Sequence, residues 1–162
     1  MRRVMKPEFS QSTPIMLRVA SLADAESLSQ LCTQLGYTVT VQQMQQHLAA
    51  VLSHPDHQVY VAEQHRVVGW IHGQRCALLI GPTQVVILGL VVDETVRGTG
   101  IGRQLLHQLE AWAMTQGCSE VMVRSNVVRQ QAHRFYERMG YRMIKQSLVF
   151  QKRLQPPNAA GD

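Results

Sequence analysis

The stretch from Gln84 to Arg103 constrains this chain more than any other. Gln84 to Val92 reads QVVILGLVV, a β-branched apolar run that predicts a strand in the interior of a sheet. A polar Asp93-Glu94-Thr95-Val96-Arg97 follows, then Gly98-Thr99-Gly100-Ile101-Gly102-Arg103, where glycines end the strand and open a helix. Residues 120–124 form the next short apolar run, so the segment predicts a β-α-β unit with parallel strands. Glycines at a helix N-terminus also leave backbone N–H groups bare. With the positive end of the helix dipole behind them they form an anion site suited to a pyrophosphate, and Arg97 and Arg103 flank it.

Two common phosphate loops do not fit. A Walker loop requires Lys-Ser or Lys-Thr after its glycines, and neither is present. A dinucleotide turn requires G-x-G-x-x-G, but the third position after Gly100 is Arg103, and residues 124–126 close the next strand without an acid for a ribose. Arg97-x-x-Gly100-x-Gly102 instead resembles the [QR]-x-x-G-x-[GA] signature of the GCN5-related N-acetyltransferase (GNAT) superfamily. A second block downstream, Asn126 followed by Ala132-His133-Arg134-Phe135-Tyr136-Glu137-Arg138-Met139-Gly140-Tyr141, resembles that family's strand-end asparagine and A-x-x-F-Y-E-x-x-G-[FY] helix. The resemblance covers roughly residues 17–152; only these two blocks are specific.

The resemblance implies acetyl-CoA as co-substrate and transfer of its acetyl group to an amine by direct attack in a ternary complex. It implies that the main-chain groups of Leu90 and Val92 serve the pantetheine arm and thioester. Gly98, Gly100, Ile101, Gly102 and Arg103 would offer N–H groups to the pyrophosphate, assisted by Arg97, and Asn126 would hydrogen-bond the cofactor arm. Tyr136 matches a tyrosine placed to protonate the departing thiolate. One departure stands out: relatives often carry a carboxylate just before the Leu-Val-Val segment, and here those positions are Leu88 and Gly89. Glu94 lies beyond the strand and Glu63 towards a turn, and His72 is a substitute on a neighbouring strand, so the base is unassigned. Tyr37, Met44 and His47, with residues 146–148, are expected to line the acceptor pocket. A small primary amine is the expected acceptor; the alternatives are a protein lysine or N-terminus, or a regulatory module that binds acetyl-CoA without turnover.

Composition narrows the rest. At 162 residues and 45% hydrophobic content, one acetyltransferase domain over residues 14–154 is expected, between a flexible N-terminal extension (1–13) and a flexible tail (155–162). Cys32, Cys76 and Cys118 are odd in number and form no C-x-x-C pair, so they read as free thiols. No metal-ligand spacing occurs among the seven histidines, and no metal is expected. The net charge of +5 is partly a basic N-terminus and partly arginines around the two blocks, which suits a phosphate-bearing cofactor and leaves nucleic acid an unlikely partner. No apolar run of about eighteen residues and no secretory h-region is present, so no membrane association and a cytoplasmic location are expected. An exposed strand edge is compatible with a homodimer.

Local patterns predict a strand at 15–20, a helix opening at the Ser21-x-x-Asp24 box and stopping at Gly36, and a second helix over Val41–Leu52. Strands are predicted at 58–63, 67–79 and Gln84–Val92, a helix from the glycine turn to 116, a strand at 120–124, a helix at 129–139, and closing strands at 141–145 and 147–152. The fold class is α/β, with a mixed, mostly antiparallel central sheet flanked by helices.

Overall fold

A computed structural model describes residues 13–154, so the expected extension (1–13), apart from Thr13, and the expected tail (155–162) lie outside the described residues. The chain divides into two compact units, one ending at Arg124 and one beginning at Ser125.

The first unit carries a five-stranded sheet in the order β1-β2-β3-β4-β5: β1 Met16–Val19, β2 His57–Glu63, β3 Val67–Cys76, β4 Gln84–Val92 and β5 Val121–Val123. Three pairings are antiparallel and β4–β5 is parallel, as the β-α-β segment requires. Helices α1 (Ala25–Gln34), α2 (Val41–Leu52) and α3 (Ile101–Thr115) belong to the same unit.

Local chemistry sets these boundaries. The Asp24 carboxylate accepts from the Ser21 N–H at 2.7 Å and is gripped by Arg18 through two 2.8 Å contacts, so a single 3-10 turn (Leu22–Asp24) precedes α1. Thr40 caps α2, its hydroxyl accepting from the Gln43 N–H while Gln43 returns the bond to the Thr40 N–H. Leu28, Leu31 and Cys32 of α1 and Met44 and Leu48 of α2 pack on Val59, Val61 and Val91, with Trp70 against the same cluster. The opposite face of the sheet takes α3, whose Leu105, Leu106 and Leu109 have no exposed surface. Burying such side chains contributes about 1.5–3 kcal/mol each.

Two sequence expectations need correction. The apolar run expected as strand to residue 79 stops at Cys76, and Leu79 and Ile80 stand almost fully exposed. In the second unit, α4 (Gln130–Arg138) is followed by no strand: residues 141–154 carry none, and Met143, Ile144, Leu148, Val149 and Phe150 are all at least 78% exposed. Alternating apolar residues give β propensity, but a strand exists only where a neighbour completes its ladder.

Candidate active site

Strand β4 has two neighbours over only part of its length. Val85, Val86 and Ile87 pair with β5, and beyond Ile87 the parallel pairing ends while β3 continues alongside to Val92. The Asp93 N–H donates to the Val68 carbonyl of β3 at 2.8 Å. Main-chain groups alternate along a strand, so those of Leu90 and Val92 point the other way, towards the edge that β5 no longer occupies. Within this unit an open half-edge of peptide groups therefore leads towards the glycine turn.

Asp93 fixes the turn itself. Its buried carboxylate accepts from the Thr95 N–H at 2.9 Å and the Thr95 hydroxyl at 2.5 Å, and pairs with Arg66 at 2.9 Å. These donors hold its pKa down to about 2. The Glu94 N–H donates to Gln34 Oε1 at 2.9 Å, tying the turn to α1. Gly98 and Gly100 then take φ of +80° and +89°, the left-handed region that glycine adopts without strain. Gly100 is the N-cap of α3 and has no side chain, so no side-chain cap shields the helix N-terminus at Ile101, Gly102 and Arg103. Arg97 Nε donates to the Val92 carbonyl at 3.0 Å and its Nη2 to Gln34 Oε1 at 3.4 Å, so it links the turn to the end of β4 and to α1.

At Gly89 the missing carboxylate has a steric reason. A Cβ built on Gly89 would meet two ring carbons of Trp70 at 2.6 Å, so the indole lies over that position. Leu88 is 51% exposed and has no partner in β3, because the register steps from His72–Gly89 to Gly73–Ile87. The Trp70 indole N–H is buried and has no hydrogen-bond partner among the described residues. Four acids are paired with arginines: Asp24 and Glu63 with Arg18, Asp56 with Arg75, and Asp93 with Arg66. Of the expected acceptor-pocket residues, Tyr37 and His47 are exposed, but Met44 belongs to the core under α2.

In the second unit, Asn126 Oδ1 accepts from the Val128 N–H at 3.2 Å and its carbonyl lies 3.0 Å from His133 Nε2, so it shapes the start of α4. Tyr136 is half-buried, with ring centroids 5.2 Å from Phe135 and 5.5 Å from Tyr141, and burial pushes its phenol up. Sequence reasoning missed the Trp70–Gly89 contact and the hydrogen bond between His57 and His72, because both depend on strand register.

The Acetyltransferase (GNAT) family profile matches residues 22–141, across both units. An aminoalkylphosphonate N-acetyltransferase of Salmonella typhimurium is 35% identical over 133 residues, 78% of this chain and 84% of that protein. An aminoglycoside N(6')-acetyltransferase of Stenotrophomonas maltophilia is 32% identical over 68 residues, 42% of this chain and 44% of its own length. An aminoglycoside N-acetyltransferase solved in complex with CoA superposes with a TM-score of 0.81 at 15% identity, covering 90% of this chain and 99% of that one, and so shares the fold. The matched profile and the Salmonella relative agree with the strand, glycine turn and helix described above: the chain belongs to the acetyltransferase (GNAT) family, whose members draw their acetyl group from acetyl-CoA.

Proposed function

We propose that this protein is an acetyl-CoA-dependent N-acetyltransferase that acetylates a primary amine of a small molecule by direct attack in a ternary complex. The observation that carries this reading is the continuous main-chain surface from the open edge of β4 to the uncapped N-terminus of α3. Coenzyme A has the matching chemistry, an amide-bearing arm ending in a pyrophosphate. Leu90 and Val92 would bind the arm, and Gly98, Gly100, Ile101, Gly102 and Arg103 the pyrophosphate. Arg97 would exchange its bond to Val92 for a phosphate oxygen as the cofactor settles. Asn126 would hold the arm, and Tyr136 would give its proton to the leaving thiolate; burial favours the protonated phenol that an acid needs.

Direct attack fits the cysteines, since Cys32 and Cys118 are buried and burial raises the Cys32 thiol pKa. The expected acceptor segments, around Tyr37 to His47 and at 146–148, carry no acidic residue, which favours an acceptor of low positive charge over a polycation. The Salmonella relative's name, an aminoalkylphosphonate N-acetyltransferase, agrees with that choice.

Thermal melting with acetyl-CoA, CoA, NAD and ATP in parallel tests the cofactor. A ligand at a hundred times its dissociation constant adds about 2.7 kcal/mol, or roughly 5–10 °C for a chain of this size. A shift with the two CoA species alone is expected; a shift with NAD, or with none, overturns the reading. A panel of 2-aminoethylphosphonate, an aminoglycoside and a lysine peptide then tests the acceptor, with turnover of the phosphonate expected to exceed the others.

A further inference from the structure

Two histidines of the first unit form a pair on the face of the sheet that carries Trp70. His57 Nδ1 and His72 Nε2 are 2.8 Å apart, with ring centroids 5.1 Å apart. His72 lies directly across the ladder from Gly89, the position where Trp70 bars a carboxylate. His57 opens β2, and exposed His54 meets it edge-on at 5.2 Å, so three imidazoles run from the sheet to the surface. The corner is pinned: Arg75 pairs with Asp56 at 2.8 Å, and its N–H donates to the Asp56 carbonyl at 2.7 Å. Among the described residues His72 makes no hydrogen bond through Nδ1. No group of three or more His, Cys, Asp or Glu side chains among the described residues could hold a metal ion.

We propose that His72 is the proton acceptor in acetyl transfer and that His57 passes the proton on to solvent. The proposal rests on the acetyltransferase reading above. Burial, then the charge of His57, lowers the His72 pKa to about 4, and burial, then His54, lowers that of His57 while Asp56 opposes. Both rings are therefore neutral near pH 7, the form that can accept a proton. So weak a base does not strip a free alkylammonium. It serves the nitrogen that has already attacked, whose N–H is far more acidic.

In the tautomer where His72 Nε2–H donates to His57 Nδ1, the amine lone pair forms the new C–N bond at the thioester carbon. The carbonyl π pair moves onto oxygen. The nitrogen releases its proton to His72 Nδ1, His72 passes its Nε2 proton to His57 Nδ1, and His57 releases its Nε2 proton to water. The tetrahedral adduct then collapses, the C–S bond breaks with its electron pair on sulfur, and the thiolate takes the Tyr136 proton to give free CoA. Water then reprotonates the phenol and His57 Nε2. His57 Nδ1 returns its proton to His72 Nε2, and His72 Nδ1 releases its proton to water, which restores the starting tautomers.

The test is thiol release from acetyl-CoA with whichever panel amine the wild type acetylates fastest, alongside the acetyl-CoA melting shift. His72→Ala is expected to lower kcat about 100-fold, to keep the melting shift, and to recover turnover when free imidazole fills the vacated space. His57→Gln is expected to lower kcat by about tenfold and to make it rise with buffer concentration, as solvent bases replace the relay. Wild-type kcat in His72→Ala, or a loss that imidazole does not relieve, overturns the proposal. Should His72→Ala not fold, His57→Gln decides alone: unchanged kcat without buffer dependence overturns it. A wild type that shows no acetyl-CoA shift overturns instead the reading beneath, and this one with it.

Discussion

Asp93 and His72 answer acid differently, and the difference is measurable. Asp93 has a folded pKa of about 2 against an ordinary 3.8, so its contribution is complete above about pH 4 and is lost as pH falls towards 2. For His72 the folded pKa of about 4 lies below the ordinary 6.5. It contributes nothing above that value; below it the unfolded chain takes up the proton first, and stability falls by about 3 kcal/mol at pH 4. Chemical denaturation from pH 7 to 4 is expected to show this decline, with a smaller one in His72→Gln. Asp93→Ala removes the turn's acceptor for Thr95 and leaves Arg66 unpaired, and is expected to cost about 1–3 kcal/mol near pH 7, read from the denaturation midpoint.

At the scale of elements, the turn before α3 and the β3–β4 pair are the sensitive joints. Gly100→Ala places a side chain at φ +89° and is expected to destabilise by about 1–2 kcal/mol. A Cβ there meets only Arg103 Nη2 at 3.8 Å, so folding should survive, and calorimetry should show weaker acetyl-CoA binding. Gly89→Ala drives a methyl into the Trp70 ring and is expected to cost about 1–3 kcal/mol by melting. Trp70→Ala combined with Gly89→Ala should lose less than the sum of the single changes, because the two share one contact. The elements themselves were legible where their signals are local. Val41, Met44, Leu48 and Val51 at helical spacing locate α2, and glycines mark the ends of α1 and α3. The step that leaves Leu88 unopposed, Trp70 over Gly89, and the His57–His72 pair were not legible, because each depends on which residues of two strands come to lie side by side.

Over the whole molecule, the β-α-β segment fixed the mixed sheet, since a strand followed by a helix and another strand returns in parallel. Residues 141–154 show the limit of pattern reading: their apolar alternation matches a strand, yet they form none. Hydrogen exchange is expected to be slowest in β2, β3 and the first half of β4, which have neighbours on both sides, and close to unprotected over 142–154. Strong protection over 142–154 would reveal a partner strand there. The half-open β4 has a last consequence. A cofactor held there as proposed would be recognised by peptide atoms that every residue shares, so replacements at Leu90 or Val92 that keep the strand are expected to leave acetyl-CoA binding intact. On that reading, mutational drift would remodel the acceptor side while the acetyl donor stays the same.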